Sequence, residues 1–261
     1  MSAEAESGPS RPRIGPGAVI KGILGVQIAL AGLLFAGDLG GVWPRLDFGP
    51  RAPQIDQPVR PGDQTRRYRP ADRPAAPPGR PFPAVTEMPE RLSFAPASLD
   101  GDPVLRLTGQ IAPGDAERFA DWLDAATEEP SALILNSPGG SVADALAIGQ
   151  RIRDAGLDTR MVPGDICLSA CPYVLAGGVT RRVDDAALVG VHQHYFGENT
   201  VQPAFMAVED IQRGQGEVMA YLDRMGVDPL LMQPALMTPP DEIYILMPEE
   251  LMRYRLAFDG T

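Results

Sequence analysis

A mixed α/β domain, with helices packed on a largely parallel sheet, is the fold the sequence predicts for residues 91–261. Three observations carry that expectation. Strand-like and helix-like stretches alternate through the middle of the region, the pattern of βα units. Ala132 to Leu135 is short and wholly apolar, as a strand covered on both faces should be. The stretch after Asp115 places Phe119, Trp122, Leu123 and Ala126 at three- and four-residue spacing, the stripe of an amphipathic helix.

The elements follow in order. Leu92–Pro96 and Pro103–Leu107 alternate as two strands joined by the turn Asp100-Gly101-Asp102. Gly109-Gln110-Ile111 leads into the Asp115 helix, and Ala132–Leu135 is the next strand. Ser141 opens a helix with Ala145, Ile148 and Ile152 apolar, and Gly156 ends it. Thr159–Val162, Val183 and Leu188–His192 read as further strands. A long helix carries Phe205 to Leu222 and stops at Gly226. A Met/Leu-rich helix (230–237), a strand (243–246), a helix from Glu249 and a last strand near Leu256–Phe258 close the chain.

The N-terminal part reads differently. Residues 1–17 are a small, polar tail carrying Arg11 and Arg13. From Ala18 to Ala36 the sequence is apolar apart from Lys21 and Gln27. A helix of that length rises about 28 Å, enough to cross a bilayer core. The expectation is a transmembrane signal anchor over 18–43, with Trp43 at the interface. Basic residues precede it, so the tail stays cytoplasmic and the rest is exported to the periplasmic or extracytoplasmic side. A cleaved signal peptide at Leu34-Phe35-Ala36-Gly37 and a buried core helix are the competing readings. Residues 44–90 hold 12 prolines and 8 arginines. That composition builds no core of its own, and the expectation is a disordered, Pro/Arg-rich spacer.

Charge and residue supply narrow the function. The formal net charge is −11, which leaves no basic field to displace counterions and argues against a nucleic-acid partner. The acidity sits in the C-terminal part: residues 1–90 hold 11 Lys+Arg and 9 Asp+Glu, residues 91–261 hold 12 and 25. Ser169 lies in Ile166-Cys167-Leu168-Ser169-Ala170-Cys171-Pro172, a strand running into a small-residue helix start. A serine there can face a cleft beside amides free to meet developing negative charge. Upstream, Asn136-Ser137-Pro138-Gly139-Gly140-Ser141 ends a strand in a turn whose glycines let backbone approach a ligand. Lys21 is the only lysine, so a Ser-Lys pair has no partner in this domain. His192 and His194 are the only histidines, which leaves one of them as the base if Ser169 is an activated nucleophile. Alternation puts both on one strand face; His192 lies nearer the buried part, and His194 reads as a surface residue. Cys167 and Cys171 are open to three readings: packing residues, a disulfide favoured by export, or half of a zinc site with the histidines. The disulfide leads, and no metal or cofactor is expected.

The segments Asn136–Val142, Ser169 at its helix start and Val191-His192-Gln193 resemble the Clp protease proteolytic subunit and its crotonase-fold relatives. Gly109-Gln110-Ile111 and Pro248-Glu249-Glu250-Leu251 match that family's landmarks in order. The resemblance covers residues 91–261 and is closest to membrane-attached or exported Clp-like proteins carrying Cys-x-Ser-Ala-Cys. It implies ββα repeats around a largely parallel sheet, Ser169 as nucleophile and His192 as base. It also implies an oxyanion hole from the amides of Gly140 and Ala170, supported by Ser137, Pro138 and Gly139. The family's acid lies just before the Pro-Glu landmark, where Asp241 and Glu242 are both candidates and spacing does not choose between them. Family members assemble through the helix after the histidine, which makes 203–226 the expected homo-oligomer contact. No P-loop is present, so the implied activity is ATP-independent hydrolysis of a peptide or protein substrate. A catalytically silent binding or assembly module is the first alternative. An acyl-CoA enzyme of the crotonase type is the second, disfavoured by export.

Overall fold

The computed structural model describes residues 15–39, 52–74, 77–194 and 204–258. The chain divides into two units, residues 1–50 and 51–261.

In the first unit, helix α1 spans Pro16–Leu39. Its described side chains are all exposed, and the segment Pro16–Phe35 is long and apolar enough to cross a membrane. An export signal near an N-terminus meets the same criterion. Of the expected 18–43 span, residues 40–43 with Trp43 lie outside the described residues.

The second unit is mixed α/β with parallel strands in two sheets. Strands β2 (Ser93–Leu99) and β3 (Asp102–Thr108) form a hairpin. Its turn residues Asp100 and Gly101 have φ 56° and 94°, the left-handed pair that a two-residue hairpin turn requires. Parallel pairing then adds β4 (Ala132–Asn136), β5 (Asp158–Met161) and β7 (Arg181–Val183), in the order β2-β3-β4-β5-β7. Helix α2 (Asp115–Ala125) and helix α3 (Val142–Asp154) connect these strands. Ser141 caps α3 by accepting from the Asp144 amide, and Gly156 follows the helix at φ 71°. The apolar strand β4 is buried along its whole length. Leu133 and Leu135 face the main core with Phe119, Ile148 and Ile152. Ala132 and Ile134 face a second cluster that Phe82 helps to cover.

A second sheet has the order β1-β9-β8-β6, from β1 (Thr65–Arg67), β6 (Ile166–Leu168), β8 (Leu188–Val191) and β9 (Glu242–Ile245). Only β6 and β8 run parallel in it. Ser137 joins the two sheets: its amide donates to the Ile166 carbonyl at 2.7 Å and its carbonyl accepts from the Leu168 amide at 3.0 Å. That stitch sets the end of β4 against the end of β6. Helices α4 (Cys171–Ala176), α5 (Ala204–Arg224), α6 (Met232–Met237) and α7 (Pro248–Arg253) complete the unit.

The structure departs from the sequence expectation in this second, mostly antiparallel sheet and in two segments. The spacer reading of 44–90 does not describe residues 52–74 and 77–90. There β1 pairs with β9, Ile55 is buried in a cluster with Leu168 and Ile243, and Arg66 is wholly enclosed. Arg80 reaches the buried carboxylate of Asp165 at 2.8 Å. The last expected strand, Leu256–Phe258, is irregular, because the Leu256 and Ala257 amides turn back to the Leu251 carbonyl and only the Phe258 amide reaches β7, donating to the Arg181 carbonyl at 3.0 Å.

Candidate functional site

Ser169 sits between β6 and α4 with φ 60°, a conformation that costs a non-glycine residue energy and therefore needs enforcement. Three constraints supply it. The Ser169 amide donates to the Gly190 carbonyl of β8 at 2.9 Å. The sulfurs of Cys167 and Cys171 lie at disulfide-bonding distance across the turn, with Cα atoms 5.0 Å apart. Gly139 presses on the turn from outside: a Cβ there would stand 2.6 Å from Ser169 Cβ and 2.8 Å from the Ala170 nitrogen. Only glycine fits that position, and its φ of 99° adds a second reason. The Cys₂His₂ zinc reading does not describe these sulfurs, because they face each other.

His192 follows β8 directly. Its Nε2 lies 2.7 Å from Ser169 Oγ, and its Nδ1 lies 3.1 Å from the Pro240 carbonyl oxygen. A carbonyl oxygen only accepts, so Nδ1 carries the proton and Nε2 turns its lone pair to the serine hydroxyl. Burial lowers the imidazole's affinity for a second proton, opposed by the backbone of Pro240, Glu242 and Pro239. The imidazole is therefore neutral and in the tautomer that accepts from Ser169.

The Gly140 turn faces the same space. Gly140 has φ 142°, and a Cβ on it would meet the Ile111 carbonyl oxygen. Ile111 and Gly140 bridge as strands do, through Ile111 N to Gly139 O at 2.8 Å and Ser141 N to Ile111 O at 2.8 Å. Among the described residues, neither the Gly140 nor the Ala170 amide is used in a hydrogen bond. Ser137 Oγ accepts from the Gly139 amide at 3.1 Å and holds the turn. A cleft of about 500 Å³ results, lined among others by Pro138, Gly139, Gly140, Ser169, His192 and Asp241. A larger cavity, about 590 Å³ beside Ile55, Asp184 and Phe258, holds none of these residues.

The two carboxylate candidates are placed differently. Asp241 is exposed at the rim of the cleft, while Glu242 begins β9 opposite Arg67. The group at His192 Nδ1 is the Pro240 carbonyl, one residue before the candidates. A carbonyl fixes the tautomer as a carboxylate does, but it brings no full charge to stabilise an imidazolium.

The structure places two contributors differently from the sequence reading. His194 is half-buried, not a surface residue; its Nε2 lies 2.7 Å from the Tyr173 hydroxyl. Burial, with a smaller contribution from His192, pulls its pKa down to about 4. Tyr68 comes from the supposed spacer. Its ring centroid lies 4.6 Å from that of His192, and its hydroxyl donates to the Pro138 carbonyl at 2.6 Å. Burial pushes its pKa up to about 12, against the pull of the Ser169 side chain and of Arg73. The only local signal for it is Thr65-Arg66-Arg67-Tyr68, a short β-prone run among prolines.

No family model matches this chain, and no curated protein matches it.

Proposed function

We propose that the protein is a membrane-anchored, ATP-independent serine peptidase-like hydrolase of the Clp/crotonase type, acting on peptide or protein substrates outside the cytoplasm. The observation that carries this reading is the 2.7 Å contact of Ser169 Oγ with His192 Nε2, beside two unspent amides. Nε2 would take the hydroxyl proton as Ser169 attacks a carbonyl, and would return it to the leaving amine. The amides of Gly140 and Ala170 are the donors for the oxyanion. The cysteine pair at disulfide distance and the apolar α1 support an exported domain. Homo-oligomers through α5 belong to the same reading.

One observation favours a second reading, in which the fold serves binding or assembly without turnover. The partner of His192 Nδ1 is a backbone carbonyl rather than a carboxylate. A fluorophosphonate probe separates the two. The first reading expects labelling of the wild type and none of Ser169→Ala, with His192→Ala slowed about 10³-fold or more. Equal signal from wild type and Ser169→Ala would discard it. An activity reporter that works only outside the cytoplasm, fused after Thr261, is expected to be active.

A further inference from the structure

We propose that Tyr68 is a positioning residue of the Ser169–His192 pair: its ring walls the imidazole toward Ser169, and its hydroxyl pins the Pro138 turn. The proposal rests on the reading of Ser169 and His192 as nucleophile and base.

The hydrogen bonds to the Pro240 carbonyl and the Ser169 hydroxyl both hold the imidazole at its edge. The torsion that sets its plane is broad in histidine, and neither bond covers a face of the ring, so a restraint on the face adds to them. Tyr68 supplies it, with its ring at 4.6 Å and tilted by 60° to the imidazole. Tyr68 is itself fastened at both ends. Its amide donates to the Asp241 carbonyl at 2.9 Å, next to the residue whose carbonyl holds Nδ1. Its hydroxyl donates to the Pro138 carbonyl at 2.6 Å. One residue, through its amide, its hydroxyl and its ring, thereby links the Pro240–Asp241 turn, the Pro138–Gly140 turn and the imidazole. The pairing of Arg67 with Glu242 in β1 and β9 brings it there.

The same ring keeps water from the imidazole, which is part of the burial that disfavours its charged form. The titratable groups facing His192 are few. Among the described residues they are Tyr68 with Arg73 behind it, His194 on its own segment with Tyr173 of α4 beyond, Asp241 before β9 and Glu242 at its start. The Pro138–Gly140 turn and Ala170 contribute none.

The test uses the full chain and its two histidines. Imidazole nitrogen spectra, assigned with His194→Gln, follow the titration and tautomer of His192 in wild type, Tyr68→Phe and Tyr68→Ala. Tyr68→Phe keeps the wall, so midpoint and tautomer stay at the wild-type values. Tyr68→Ala raises the midpoint toward 6.5 and populates both tautomers. Fluorophosphonate labelling of Ser169 slows about tenfold in the alanine variant and less than about threefold in the phenylalanine one. Should Tyr68→Ala not fold, Tyr68→Gln fills the volume with a polar group and is read in the same way. An unchanged His192 midpoint and tautomer on removal of the ring would overturn the proposal. So would faster labelling, which would make Tyr68 a cover over the site. If wild-type Ser169 takes no label, the hydrolase reading fails while the titration still decides on Tyr68.

Discussion

The serine turn and the segment 52–90 reach the same cleft by opposite routes. The turn is built from residues whose local chemistry announces it: paired cysteines, a serine before a small residue, and glycines where backbone must touch backbone. The segment before β2 is rich in proline and arginine and has no periodic apolar face. It nevertheless places Ile55, Arg66, Tyr68, Arg80 and Phe82 on the domain. Composition shows that such a segment cannot form a core of its own; it does not show that the segment lacks a core to join. Beside the short β1–β9 ladder, its anchors are single side chains filling places that the α/β domain leaves open.

The largest expected effect breaks the segment's polar anchor. Asp165 is buried and holds Arg80 at 2.8 Å and Arg106 at 2.9 Å. Burial pushes its pKa up to about 6 against the pull of both arginines, so the comparison belongs near pH 7.5, where it is ionised. Asp165→Ala then strands two largely buried guanidinium groups and should cost about 3–5 kcal/mol. Urea unfolding measures it, and a loss below about 1 kcal/mol would mean that the segment rests on the domain without being tied to it.

Ile55→Ala comes next, at about 2–4 kcal/mol for a buried isoleucine that packs on Ile166, Leu168, Ile243 and Ile245. Ile55→Val should cost only about 1 kcal/mol. A null result for both would restore the spacer reading for this stretch.

The cysteine pair tests the other region. A bridge across a separation of four residues closes a small loop, for which chain entropy allows about 2 kcal/mol. Cys167→Ser together with Cys171→Ser should therefore cost less stability than Ile55→Ala, yet slow Ser169 labelling, because the bridge helps to hold φ 60° at Ser169. Thiol labelling of the unfolded, unreduced wild type checks the bridge itself. Modification of both cysteines without reductant would rule it out.

Much of the fold is legible in residue order, and the reason is local. The β2–β3 turn, β4, the cap at Ser141, the stop at Gly156 and the Ser169 turn each answer a requirement within a few residues. The parts that escape depend on pairing across long separations. The β1–β9 ladder joins Arg67 to Glu242, and neither strand carries a pattern strong enough to name its partner. His194 escapes because β8 ends at Val191, so strand alternation no longer governs where it points. The partner of His192 Nδ1 escapes for another reason: a backbone carbonyl has no letter in a sequence, whereas Asp241 and Glu242 do.

The smallest expected effect joins the two regions through pH. Sequence alone places the acid limb of turnover near 6.5, the ordinary histidine value. The structure moves that expectation down, since burial lowers the pKa of His192. For a base whose folded value is depressed, the folded state takes its proton later than the unfolded chain does. Stability from this source is therefore intact above 6.5 and is lost as pH falls below it. On the hydrolase reading, turnover needs the neutral imidazole, so activity should persist below pH 6.5 and fall only at a lower midpoint. His194, with a value of about 4, is itself neutral at pH 6.5 and adds no second limb near that pH. His194→Gln should leave the midpoint in place and change the rate only a few-fold, since it touches Tyr173 rather than Ser169. An acid limb at or above 6.5 in the wild type would mean that water reaches His192 freely. In that case Tyr68 and its segment do not shield the pair, and the two regions share a surface without sharing a site.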